Sequence, residues 1–218
     1  MAQTFVNGLR LFGVAAFDSG MPQPLADGTT TVQFRAIAGV VTPAKYMRAT
    51  LDEKEVGEYT RVLEEVHAAT AVLPAPLGTV FKSRDNLARW LELHYFTLTQ
   101  AIGSIEGHGQ ARVTITKTKG IDAPNATPGE LKESSKQLLA TASQSLRVLR
   151  GQAAATVSMP VDETDSYIVV HASFLVDLEQ WEAFADLVQK EDTRHTSLDF
   201  NLTGPWPPYD FVRMQFGG

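Results

Sequence analysis

The sequence contains no cysteine. That excludes disulfides, thiolate metal sites and cysteine nucleophiles, and it suits a reducing compartment. No run approaches the roughly 18 uncharged apolar residues that a membrane helix needs, so no membrane partner is expected. The opening Met1-Ala2-Gln3-Thr4-Phe5 lacks both the basic start and the long apolar core of a secretion signal, which makes a cytoplasmic setting the expectation. Concentrated positive charge is also missing. With 19 Lys and Arg against 25 Asp and Glu, and a formal net charge of −6, the chain offers no face suited to releasing counterions from phosphate backbones. Nucleic acid is therefore not an expected partner. Arg147 and Arg150 come closest to a basic patch, and near a helix end they read as complements to the helix dipole.

Familiar catalytic motifs are missing too. There is no Gly-x-Ser-x-Gly elbow, no Walker loop and no Gly-x-Gly-x-x-Gly fingerprint. The five histidines (His67, His94, His108, His171 and His195) never show the His-x-x-x-His spacing that puts two imidazoles on one helix face for zinc. Asp162, Glu163 and Asp165 cluster in a loop without the ligand spacing of a calcium site, so a solvated acidic turn is the simpler reading. Glu191, Asp192, Arg194 and His195 form a polar stretch unaccompanied by a nucleophile. No catalytic residue, metal site or cofactor is expected from these patterns.

What the chain does have is an ordinary globular composition, 44% hydrophobic and 20% charged over 218 residues, enough for two domains of about 100 residues each. Apolar alternation predicts strands at Leu9–Phe17 and Val32–Val41. Thr50 and Glu53 have capping-box spacing, and the helix they start carries Val56, Tyr59, Leu63 and Val66 inward. A second helix follows Ser83, with Leu87, Trp90, Leu91, His94, Leu98, Ile102 and Ile105 on one face. Two glycines around His108 mark a domain boundary. Beyond it come a strand at Val113–Ile115, a helix started by Thr127-Pro128-Gly129-Glu130, a weak strand near Thr156–Met159 and a strong one at Tyr167–Val176. A short helix from Asp177 and a strand at Ser197–Leu202 complete the run. The second half thus orders as strand, helix, strand, strand, helix, strand, the ferredoxin-like arrangement of an antiparallel sheet covered by two helices. The expected fold class is α+β: an N-terminal domain over residues 1–106, a ferredoxin-like domain over 107–203, and a proline- and aromatic-rich tail over 204–218 that packs on the domains or on a partner.

Two stretches stand apart. Val72-Leu73-Pro74-Ala75-Pro76-Leu77-Gly78-Thr79-Val80-Phe81 is a proline-stiffened apolar connector, read as a buried link or a partner site. Thr203-Gly204-Pro205-Trp206-Pro207-Pro208-Tyr209-Asp210-Phe211-Val212 crowds three prolines into four positions. That disfavours helix and central strand, and favours extended or turn geometry. Its rings could each bury roughly 150–250 Å² at low ordering cost. The candidate partner-binding residues are Trp206, Tyr209, Phe211, Pro205, Pro207, Pro208, Leu77 and Phe81.

His67, Val72-Leu73-Pro74, Gly78-Thr79-Val80-Phe81 and the closing run from Asp199 to Val212 together resemble the gas vesicle GvpF/GvpL family, in order and spacing over nearly the whole chain. Pro76 and Leu77 stand where members often carry an arginine and an aromatic. The resemblance implies a two-domain accessory protein of gas-filled protein shells, with no enzyme activity, cofactor or metal. It implies contact with the small hydrophobic major shell subunit, extending to other gas vesicle accessory proteins, and residence in the cytoplasm and at the gas vesicle, where buoyancy is the output. The rival class is a cofactor-free oxygenase or isomerase using a ferredoxin-like sheet pocket at His171 with Asp192 or His195. A regulatory pair of ligand-binding domains is a third reading without a motif of its own.

Overall fold

A computed structural model of the chain describes residues 8–46, 52–118, 128–161 and 167–212. Thr50, Thr127 and the acidic trio Asp162, Glu163 and Asp165, all singled out in the sequence, lie outside them. Among the described residues the fold is mixed, with two antiparallel sheets and four α-helices in two units. One unit comprises residues 1–106 and 207–218, the other residues 107–206.

In the first unit, β1 (Gly8–Ala16) is central, flanked by β3 (Ile37–Ala44) on one side and by β4 (Val72–Pro74) and β5 (Val80–Phe81) on the other. β2 (Thr30–Phe34) adds outside β3. Apolar residues on both sides of β1 are explained by a helix on each face of the sheet. Phe12, Ala15 and Val40 share a cluster with Val62, Leu63 and Val66 of α1 (Glu53–Ala69). On the opposite face Gly39 stands so close to α2 (Arg84–Ile105) that an added Cβ would lie 3.2 Å from Leu87 Cδ2. A register shift in β1 between Leu11 and Gly13 lets Phe12 join the α1 side.

Three local expectations change. Val32–Val41 is not one strand but a hairpin, β2 and β3 joined through Arg35 and Ala36. Arg35 adopts φ 52°, a left-handed conformation uncommon without glycine or asparagine. Its guanidinium sits 5.5 Å from the Phe34 ring and 5.3 Å from the Tyr95 ring, and its carbonyl accepts from Gln33 Nε2. These tertiary contacts stabilise a turn whose residues carry no turn signal. α1 is capped by Asp52, whose Oδ1 accepts from Glu55 N at 2.8 Å, so the helix begins after the expected capping box. Val56, in its first turn, is exposed rather than inward, because packing on the sheet begins with Tyr59 and Val62.

The second unit runs β6 (His108–Lys117), α3 (Pro128–Arg150), β7 (Ala155–Met159), β8 (Ile168–Asp177), α4 (Trp181–Arg194) and β9 (Leu198–Trp206). Its strand order is β7-β8-β6-β9, antiparallel throughout. Ala111, Val113 and Ile115 of β6 and Ala172, Phe174 and Val176 of β8 form one buried face. Leu138, Ala142, Leu146 and Leu149 of α3 and Phe184 and Val188 of α4 pack against it. The Phe174 and Phe184 rings meet at 5.4 Å. Asp177 starts a 3-10 turn by accepting from Glu179 N, and α4 follows directly.

Candidate interaction surfaces

The closing run does not leave its sheet at Leu202. β9 is an edge strand and continues through Gly204-Pro205-Trp206, with Gln110 opposite Trp206. An edge strand tolerates proline because one side of its backbone needs no ladder donor. A register shift between Gln110 and Arg112 accommodates the extra residue. Gly204 makes this passage possible. Its φ is +125°, and an added Cβ would sit 2.5 Å from the Gln110 carbonyl oxygen and 2.8 Å from Trp181 Cη2. Trp206 is half-buried and donates from Nε1 to Thr203 Oγ1 at 3.2 Å.

Beyond Trp206, Pro207 and Pro208 are buried, and Tyr209 joins the core of the first unit. Its ring lies 6.2 Å from that of Tyr59, which stacks on Phe12 at 6.5 Å. Tyr59 donates its hydroxyl to the Ala75 carbonyl, and burial pushes its pKa up to about 12. Tyr209 thus extends an aromatic row inside its own unit, while Phe211 is half-buried, its amide donating to the Pro208 carbonyl.

The central run is largely absorbed into the sheet. Val72, Leu73 and Ala75 are buried, and Ala75 N donates to Phe12 O at 2.8 Å. Gly78, at φ +84°, closes a turn in which Thr79 N donates to Pro76 O. Leu77 and Phe81 remain half-buried, the Phe81 ring 5.7 Å from that of Trp90.

A surface that the sequence reading overlooked lies on α2. Leu93 is 78% exposed and Phe96 72% exposed, one turn apart. From Leu93 to Ile105 the sequence carries no Asp, Glu, Lys or Arg. Both residues fall off the inward stripe of Leu87, Leu91, Leu98, Ile102 and Ile105, which is buried as expected. The signal was present as large apolar residues at outward helical positions, opening a stretch to Ile105 without Asp, Glu, Lys or Arg.

The polar residues weighed for chemistry are dispersed. His171 borders a cleft beside α3, yet alternation along β8 sets it on the face opposite Ala172 and Phe174, away from the helices. Asp192 Oδ1 accepts from Phe200 N at 2.8 Å. Glu191 lies 3.4 Å from Arg194 Nη1 and 3.6 Å from His195 Nε2, whose ring stacks 6.5 Å from Phe200. These groups tie the end of α4 to β9, and neither Asp192 nor His195 lines the cleft. No trio of His, Asp and Glu suited to holding a metal occurs among the described residues. No helix among them is long and apolar enough to cross a membrane.

Fold and surface therefore define a protein of two sheet-and-helix units, closed by a proline-guided aromatic segment, that keeps large apolar side chains exposed on a helix. The sequence model of the family described as gas vesicle synthesis protein GvpL/GvpF matches residues 11–156 and 130–213, and the chain belongs to that family. It is 25% identical over 198 residues to gas vesicle protein F1 of Halobacterium salinarum, covering 88% of this chain and 84% of that one. To gas vesicle protein F2 of the same organism it is 28% identical over 195 residues, covering 86% and 81%. The crystal structure of the gas vesicle protein GvpF from an Anabaena species matches with a TM-score of 0.76 at 17% identity, covering 97% of this chain and 98% of that one. The GvpF structure from Microcystis aeruginosa matches at 0.73 and 16%, covering 95% and 100%. These two likenesses establish a shared fold. Family membership gives the chain a gas-vesicle-related role.

Proposed function

We propose that this chain is a minor gas vesicle protein, a structural or assembly factor that binds the small hydrophobic shell subunit while the vesicle is nucleated or formed, working in the cytoplasm and at the vesicle. The observation that carries this reading is the outer face of α2, where Leu93 and Phe96 are held in water on an uncharged stretch of helix. A rigid helix presenting two apolar anchors loses little entropy on capturing an apolar partner. Trp206 and Phe211, half-buried in the closing run, serve as further anchors with Leu77 and Phe81. Pro205, Pro207, Pro208 and Tyr209 set the path of that run. The second unit is read as ferredoxin-like, supported by its element order and by the placement of both helices on one face of its sheet. Other gas vesicle accessory proteins are candidate second partners.

Co-expression with the shell subunit and affinity capture of this chain tests the proposal. The wild type should retain the subunit. Leu93→Asp with Phe96→Asp should reduce retention by at least tenfold, since burying each side chain is worth roughly 1.5–3 kcal/mol. Both positions are mostly exposed, so the double variant keeps its fold, which circular dichroism checks. Failure of the wild type to retain the subunit would overturn the proposed function. Undiminished retention by the double variant would move the binding surface off α2, and Trp206→Ala with Phe211→Ala then tests the closing run.

A further inference from the structure

A cleft of about 380 Å³ opens in the second unit where the last turns of α3 pass beside β7 and β8. Its apolar wall includes Leu146, Val161 and Val170, and its polar groups include Ser143 and Ser158 together with Arg147 and Arg150. Among the described residues, no carboxylate lines it. Ser143, Arg147 and Arg150 recur at helical spacing along one side of α3, while Ser158 lies on the helix-facing side of β7, paired with Ala172.

Several arginines elsewhere are held by carboxylates, although Arg89 on α2, like this pair, has no ion pair or hydrogen bond among the described residues. Arg10 binds Glu55 and Glu58, Arg61 binds Glu65, and Arg194 faces Glu191. Arg147 and Arg150 make no ion pair or hydrogen bond among the described residues, in a chain whose formal net charge is −6. Cations in the last turn of a helix complement its dipole by roughly 0.3–1 kcal/mol. Two like charges three residues apart give back about 0.2–0.5 kcal/mol of that. The dipole therefore favours the two charges only modestly, and it gives no reason for hydroxyls and an apolar wall beside them.

We propose that this cleft is a binding site for a small phosphomonoester. The two guanidinium groups match the dianion in charge, and each offers a planar fork of donors suited to phosphate oxygens. The hydroxyls of Ser143 and Ser158 supply further donors, and Leu146, Val161 and Val170 take the ligand's apolar body. The volume falls within the range of small-molecule sites, about 300–1,000 Å³. This site is separate from the apolar face of α2, and the two proposals stand or fall independently.

Isothermal titration of the full chain at fixed ionic strength with adenosine monophosphate, adenosine and inorganic phosphate provides the test. Adenosine monophosphate should bind saturably, phosphate more weakly, and adenosine not at all. Arg147→Gln with Arg150→Gln should weaken binding at least tenfold while leaving the far-ultraviolet dichroism unchanged. Arg147→Lys with Arg150→Lys, which keeps the charge but loses the fork, should fall between. The proposal is overturned if neither phosphate nor adenosine monophosphate binds saturably, or if the glutamine pair binds as tightly as the wild type.

Discussion

His67 offers the sharpest physical test of the first unit. It sits in the last turn of α1 beside the buried Val66, and both ring nitrogens are buried with no hydrogen-bond partner among the described residues. Two effects compete. A helix C-terminus favours the charged imidazolium, whereas burial disfavours it. Burial wins, and it holds the His67 pKa below the ordinary value of 6.5. Above that ordinary value the ring is neutral in both folded and unfolded chains, so His67 adds no pH dependence. As pH falls below it the unfolded chain takes up a proton that the folded chain refuses. Stability should then drop by up to about 1.4 kcal/mol per pH unit until the lowered folded value is passed. Replacing His67 by Leu removes the titration together with two unsatisfied polar atoms. At about pH 7.5 that should stabilise the unit by roughly 1–3 kcal/mol, because each orphaned buried group costs that much. Hydrogen exchange of the α1 amides, corrected for intrinsic rates, measures this at about pH 7.5 and 5.5, on either side of the unperturbed histidine value. Wild-type protection should fall between the two conditions by more than that of His67→Leu, the excess reaching at most about 1.4 kcal/mol. Equal pH responses in the two proteins, or weaker protection of the Leu variant at the higher pH, would refute the reasoning.

Two further substitutions probe the sheets. Gly204→Ala forces a side chain into a positive φ and against the Gln110 carbonyl, so it should cost at least about 1–3 kcal/mol in the second unit and lower its urea midpoint. A variant as stable as wild type would show that β9 does not hold this path. Arg10→Met keeps the apolar stem but leaves Glu55 Oε1 and Glu58 Oε2 without their cation, beside a Glu55 Oε2 that is already buried without a hydrogen bond. A loss of about 1–3 kcal/mol is expected, more than an exposed ion pair is worth, and Glu55→Gln with Glu58→Gln in the same chain should restore most of it. Absence of that rescue would mean the arginine stem, not its charge, matters.

Much of the chain could be read from period and punctuation alone. The inward stripe of α2 follows from Leu87, Leu91, Leu98, Ile102 and Ile105 at helical spacing, and Ser83 caps that helix as its sequence suggests, its hydroxyl accepting from Asn86 N. The alternation of Val113 and Ile115 places them on the buried face of β6. These features depend on neighbours within a few residues, so the local sequence contains the cause. The hairpin at Arg35 was illegible because its stabilising ring, Tyr95, is sixty positions away. The same applies to Gly204, whose necessity is visible only against Gln110 and Trp181.

The closing run shows both halves of this division. Its prolines and aromatics were enough to mark the family, and their chemistry was enough to exclude a helix or a central strand. They could not say that β9 would carry Gly204, Pro205 and Trp206 along the sheet edge, nor that Tyr209 would pack on Tyr59 while Trp206 and Phe211 kept part of their surface. The sequence by itself determined the supply of large, stiffly held apolar surface, because that is a property of residue type. Tertiary structure alone decided which rings were consumed in the protein's own core and which apolar residues, Leu93 and Phe96 above all, were left facing water, because that depends on which distant segments arrive to cover them.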